Sequence, residues 1–291
     1  MNQFNGVGVA LVTPFKEDLS LDLDALDRLI EYNIEGGTSY LVVLGTTAEA
    51  ATLSSEEKQA VMDRVVKTNA GRLPLVLGIG GNNTMEVQRA IEKADMDQFD
   101  AILSVSPYYN RPSQEGLYQH YRALAQTGKP IIIYNVPSRT GQNLEAATTL
   151  RLAREFSNLF MIKEAAPNIA QYFDILRLKP EGFMLASGDD EYTLPVTLAG
   201  GSGVISVIGQ AYPKEFSQMV ALAKEGKVKE AYRLHNSLVE ITRLIFAEGN
   251  PAGIKAVLAK KGIIQNYLRL PLVAASTSLE EKLYEQMQKL S

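Results

Sequence analysis

The residue of this sequence best suited to covalent chemistry is Lys163, which closes the run Leu159-Phe160-Met161-Ile162. Four consecutive apolar residues are the pattern of a strand buried on both faces of a parallel sheet. A primary amine where such a strand runs out stands at the mouth of an apolar core, and burial disfavours its charged form. To be nucleophilic near neutrality its pKa must fall by roughly 3 units from about 10.4, on the order of 4 kcal/mol. An amine so placed suits imine formation with a carbonyl compound. The plainer reading is a strand-ending lysine whose stem lies on apolar surface while its head reaches water.

Other residues with usable chemistry fall at similar places. Tyr134 continues the run Ile131-Ile132-Ile133, which sets its hydroxyl near the rim beside the lysine-bearing strand. A phenol there can carry protons to and from a carbinolamine, a contribution of roughly 10²–10⁴-fold for a well-placed acid–base group. Arg139 follows in Pro137-Ser138-Arg139-Thr140-Gly141 and can grip a carboxylate with two parallel hydrogen bonds, or serve in a surface ion pair. Gly45-Thr46-Thr47-Ala48-Glu49 offers close backbone approach and two successive hydroxyls, although a structural turn explains the glycine and one threonine equally well. Tyr108 and Tyr109 are adjacent at the end of another strand. At most one of them faces inward, and the other is available to a neighbour, such as a second subunit.

Composition narrows the chemistry further. The 291-residue chain has no cysteine, which removes disulfides, thiolate metal sites and a cysteine nucleophile. Its two histidines, His120 and His235, lie inside helical patterns, so histidine-centred metal sites and Ser-His-Asp triads find no support. Neither a metal nor an organic cofactor is expected. With 29 basic and 33 acidic residues and no basic run, the sequence recommends no nucleic-acid partner. No apolar run is long enough to span a bilayer, and the start Met1-Asn2-Gln3-Phe4-Asn5 lacks the regions of a signal peptide. A cytoplasmic setting is therefore expected. Gly78-Ile79-Gly80-Gly81 misses the third glycine of a dinucleotide fingerprint. Gly200-Gly201-Ser202-Gly203 precedes a strand and reads as a tight turn.

The elements that must position these residues alternate from the start. Strands are expected at Val7 to Val12, Tyr40 to Leu44, Leu75 to Leu77, Ala101 to Val105, Ile131 to Tyr134, Leu159 to Ile162, Phe183 to Leu185 and Gly203 to Val207. Helical patterns separate them, two opening on the capping signals Ser54 with Glu57 and Asn83 with Glu86. Eight strand–helix units at spacings of roughly 20 to 30 residues predict a (β/α)8 TIM barrel over 1–212. The rest, 213–291, reads as a C-terminal helical extension, with helices at Phe216 to Ala223, Val228 to Phe246, Pro251 to Lys260 and from Leu279. In such a barrel active sites form at the carboxyl ends of the strands, where Lys163, Tyr134 and Thr46-Thr47 fall.

Gly8 to Phe15, Gly45-Thr46-Thr47, Ser106 to Asn110, Tyr134 to Gly141, Ile162-Lys163-Glu164, Gly188-Asp189-Asp190 and Asn250-Pro251 occur in the order found in the pyruvate-dependent Schiff-base lyase family. The resemblance covers nearly the whole chain and is closest to the branch that condenses pyruvate with L-aspartate 4-semialdehyde in lysine and diaminopimelate biosynthesis. It implies that Lys163 forms the imine with pyruvate and that Tyr134 transfers protons, relayed by Thr46 and by a Tyr109 lent from a neighbouring subunit. It further implies that Thr47 and the backbone around Gly188 and Ile205 hold pyruvate, and that Arg139 receives the carboxylate of the aldehyde. Members are typically homotetramers, dimers of tight dimers.

Two departures stand out. Where the family usually reads Gly-Thr-Thr-Gly-Glu-Ser, this chain has Ala48 and Ala50, so a slightly different loop is expected beside the threonines. Lysine-inhibited members use that serine and nearby histidines in an allosteric pocket. Here Asn82, Glu86 and Tyr108 match, but the rest is Ala50, Ser55 and Lys58. Inhibition by lysine is therefore expected to be weak or absent. Two other readings stay open at this point. One is a sialic-acid or keto-deoxy-sugar-acid aldolase with the same imine chemistry, whose members generally lack an arginine at the place of Arg139. The other is a non-catalytic barrel that binds a keto acid.

Overall fold

The computed structural model describes residues 2–290. Eight parallel strands follow one another in chain order around a closed barrel: β1 (Gly6–Ala10), β2 (Tyr40–Val43), β3 (Leu75–Gly78), β4 (Ala101–Val105), β5 (Ile131–Asn135), β6 (Leu159–Glu164), β7 (Met184–Ser187) and β8 (Gly203–Ser206). The (β/α)8 TIM barrel with a C-terminal helical extension is thus the fold. The strands are short, mostly apolar and almost wholly buried, as a parallel sheet covered by helices requires. No helix among the described residues is long and apolar enough to cross a membrane.

Local signals explain the helix starts. Ser54 accepts the Glu57 backbone N–H at 3.2 Å, and the Glu57 carboxylate accepts the Ser54 N–H at 2.9 Å, a complete capping box for Ser55–Asn69. At Thr84–Lys93 the sequence expectation holds only in part. Asn83 caps through Met85 N–H at 3.2 Å, whereas Glu86 turns outward to Arg89 at 2.8 Å.

The chain divides into two compact units, the part up to Pro74 with the segment from Ser206 onward, and Leu75–Ile205. Within Leu75–Ile205, Ile131, Ile133, Ile162 and Leu185 point outward into a core shared with helix residues Leu117, Tyr121 and Tyr172. Because side chains alternate along a strand, Tyr134 and Lys163 project from the other face of the same strands. The β5–β6 register sets them directly opposite each other, and Asn135 opposite Glu164.

In the other unit, Pro213–Lys224 packs on β1 and on Leu23–Glu35. Val228–Phe246 lies against that helix and against Ala252–Lys260 and Thr277–Lys289. Ala252–Lys260 is apolar around nearly its whole circumference and is accordingly core, with Ile254, Ala256, Val257 and Leu258 all inaccessible. Within that buried run stands a lysine, Lys255, also inaccessible.

Candidate functional site

Strand β6 continues two residues past its apolar run, so Lys163 lies within the strand and not beyond it. Its side chain is 4% exposed, and Nζ sits over the Tyr134 ring, 4.3 Å from the centroid. Burial pushes the amine down to about 8; the Arg139 charge adds to the fall, and the buried Asp190 carboxylate opposes it. At neutral pH that value leaves roughly a tenth of the amine uncharged, against about one part in three thousand at 10.5. The strand-ending lysine that reaches bulk water is therefore not what the chain builds.

Gly188, just past β7, explains how the lysine is confined. A Cβ there would lie 3.0 Å from both Cγ and Cε of Lys163 and 2.8 Å from the Ala165 Cβ. Only a glycine leaves the stem its place. Ile205 is inaccessible on β8. Arg139 is exposed on the short helix Pro137–Thr140, which closes with Gly141 at φ 74°. Proline at the helix start and glycine at its end are the expected chemistry of that turn.

The opposite face of β5 and β6 carries a polar cluster that sequence reading overlooked. The Glu164 carboxylate is inaccessible and accepts from Asn135 Nδ2 at 2.9 and 3.1 Å, Gln171 Nε2 at 2.9 Å and the Ala166 N–H at 2.8 Å. Burial pushes it up to about 7, while these donors pull it back. Asn143 and Leu144 join through Asn135 and Gln171, tying both ends of the Arg139 loop to the strands behind Tyr134 and Lys163. An Asn and a Glu ending two apolar strand runs were the available signal.

In the other unit, Thr47 is 3% exposed and its hydroxyl accepts from Asn250 Nδ2 at 2.9 Å, while the neighbouring Thr46 is exposed. Ala48 sits in a 3-10 turn, Thr46–Ala48, and the left-handed residue is Glu49 at φ 55°. The position that is glycine in the family pattern thus asks for no special backbone here, and alanine fits.

Tyr108 and Tyr109 both lie at the surface. Strand β4 ends at Val105, so both tyrosines are in the loop beyond it, 43% and 89% exposed, and neither packs inward. Tyr109 adopts φ 71°. Near Tyr108, Asn110 Nδ2 donates to the Asn82 carbonyl at 2.8 Å, and Asn82 and Glu86 are exposed. His120 is buried, hydrogen-bonded to Thr84 at 2.9 Å and pushed down to about 4 by burial, a packing histidine as expected. Among the described residues no three His, Cys, Asp or Glu side chains are grouped to hold a metal ion.

A closed (β/α)8 barrel with a buried, readily deprotonated lysine near the end of its sixth strand has the parts that imine-forming chemistry requires. The chain belongs to the dihydrodipicolinate synthetase family, which it matches over residues 3–290. A 4-hydroxy-tetrahydrodipicolinate synthase of Flavobacterium psychrophilum is 55% identical over 284 residues, 97% of each chain. The dihydrodipicolinate synthase of Thermotoga maritima, a crystal structure, superposes with TM-score 0.96 at 38% identity, covering 99% of this chain and 98% of that one. The chloride-inhibited dihydrodipicolinate synthase of Acinetobacter baumannii, solved with pyruvate, gives TM-score 0.94 at 38% identity and covers 98% of both chains.

Proposed function

We propose that this chain is a lyase that condenses pyruvate with L-aspartate 4-semialdehyde, the 4-hydroxy-tetrahydrodipicolinate synthase reaction. The observation that carries the reading is Lys163, buried over the Tyr134 ring with its amine lowered to about 8. The uncharged amine attacks the keto carbon, and the carbinolamine loses water to leave an imine. Loss of a methyl proton gives the enamine, whose carbon attacks the aldehyde. The amino group of the new chain then adds to the imine carbon, closes the ring and expels the lysine amine, which is regenerated.

In this reading Tyr134 moves the protons of the carbinolamine, with Thr46 and a Tyr109 from a second subunit as relay. Thr47 and the backbone at Gly188 and Ile205 bind pyruvate, and Arg139 takes the carboxylate of the aldehyde. The 89% exposure of Tyr109 is consistent with a residue that functions against a partner. The assembly proposed is a homotetramer of two tight dimers in the cytoplasm, without metal or organic cofactor.

Steady-state assays test the reading. Turnover of pyruvate with L-aspartate 4-semialdehyde is expected, and none of N-acetylneuraminate or 2-keto-3-deoxy sugar acids. Cleavage of a sugar acid at comparable kcat/KM would overturn it in favour of the aldolase branch, and no turnover of either would favour the binding barrel.

A further inference from the structure

The loop after β2 is held by residues of its own compact unit. Thr13 Oγ1 donates to the Ala48 carbonyl at 2.7 Å. The Glu49 carboxylate takes Lys255 Nζ at 2.5 Å and the Arg269 backbone N–H at 3.0 Å. Lys255 and Glu49 side chains are both inaccessible, and Lys255 also donates to the Tyr267 carbonyl at 2.9 Å. Arg269 in turn grips Glu57 with two hydrogen bonds, 2.5 and 2.7 Å, and the Thr52 carbonyl at 3.0 Å. Glu49 and Leu44, which flank the threonines, both have left-handed backbones, φ 55° and 57°. Such conformations persist where the surroundings over-determine them.

The Asn250 contact has a chemical direction. Asn250 is 8% exposed, just ahead of the helix that carries Lys255, and its amide N–H points at Thr47 Oγ1. A hydroxyl owns one hydrogen and two lone pairs. With one lone pair taken by an incoming N–H, the hydroxyl hydrogen cannot be given back along that line and must point elsewhere. Thr47 is thereby left as a donor, the role that a carboxylate ligand needs. The Lys255–Glu49 pair is the second rung between the same loop and the same stretch of chain, Asn250 and the helix that follows it. It fixes the spacing across which Asn250 reaches.

We propose that Asn250, held in register by the buried Lys255–Glu49 pair, is a positioning residue that orients the Thr47 hydroxyl to donate to the carboxylate of the keto acid. This rests on the reading of Thr47 as a pyruvate-binding residue. The helical segment after the barrel then has a part in substrate binding without touching substrate.

The test is Asn250→Leu in the full chain, assayed with both substrates. KM for pyruvate is expected to rise about tenfold, while kcat changes less than about twofold and KM for the aldehyde and the thermal melt stay put. In a Thr47→Val background the same substitution is expected to add less than about twofold, because the group it orients is gone. An unchanged pyruvate KM overturns the proposal, and so does a full additional effect in the Thr47→Val background or a joint fall of kcat, both KM values and melting temperature. If Asn250→Leu does not fold, Asn250→Asp, of the same shape, puts an acceptor where the donor was. It is expected to raise pyruvate KM at least as much, and an unchanged KM in that folded variant is equally fatal. Borohydride trapping of pyruvate on the unmodified protein separates the two claims. Failure to trap sinks the imine reading, whereas trapping with an unaltered Asn250→Leu KM sinks only the positioning role.

Discussion

Lys163 and Lys255 are both buried, both lie over an aromatic ring at 4.3 Å, and both have their pKa lowered by burial. Their surroundings differ in one respect. Lys255 has a carboxylate at 2.5 Å and a carbonyl at 2.9 Å, whereas Lys163 feels the charges of Asp190 and Arg139 and lies over the Tyr134 ring. A buried ammonium is held in place by its partners, and one without bonded partners is stabilised by giving up its proton. The same residue type, buried in both places, is thus a structural tie at Lys255 and, in the proposed reaction, the nucleophile at Lys163.

Substitution should separate the two. Lys163→Met is expected to lower kcat by roughly 10³-fold or more, since the attacking group is gone. It should also raise stability at pH 7 by about 1–3 kcal/mol. The amine titrates near 8 when folded and near 10.5 when unfolded, so the unfolded chain binds more protons between those values. Folding is therefore penalised below about pH 8, and the penalty is relieved as pH rises towards 10.5. Lys255→Met should do the reverse, losing about 3–5 kcal/mol because Glu49 is left buried without its partner. The double variant Glu49→Gln with Lys255→Met should recover most of that loss. Thermal and urea unfolding of the three proteins check this, and a destabilised Lys163→Met would break the contrast.

Crowding the proposed nucleophile is the next largest effect. Gly188→Ala sets a methyl 3.0 Å from the Lys163 stem, and a shift of the amine by a fraction of an ångström should lower kcat by about 10²-fold with the fold retained. Because the amine must be uncharged to attack, kcat/KM for pyruvate should climb about tenfold per pH unit below 8 and level off above it. A profile flat from pH 6 to 9 would contradict that value. The smallest effect expected is that of free lysine: at concentrations that inhibit sensitive relatives, it should leave the rate nearly unchanged, since Ala50, Ser55 and Lys58 replace part of the pocket. Full inhibition there would refute it.

Much of this was legible in the residue order. The eight strands and the Val228–Phe246 helix fall where the apolar pattern puts them, and strand ends differ by a residue or two. Lys163, Tyr134 and Arg139 could be singled out because strand-end position is readable in a barrel. What was not legible depends on chain segments far apart in sequence. Asn250 meets Thr47 across 203 residues and Lys255 meets Glu49 across 206, and no local pattern announces either partner. The lysine inside the apolar helix Ala252–Lys260 was a signal that something buried must answer its charge. The Glu164 cluster escaped because its acid directly follows the more conspicuous lysine. Which of Tyr108 and Tyr109, if either, turns inward could not be read from the residue order, because β4 stops at Val105 and both tyrosines lie in the loop beyond it.

Reduction with borohydride in the presence of pyruvate, followed by peptide mass spectrometry, tests the central contrast most directly. One adduct, on Lys163, with Lys255 untouched, is the expected result. No adduct on the folded protein, or an adduct on Lys255 instead, would contradict it.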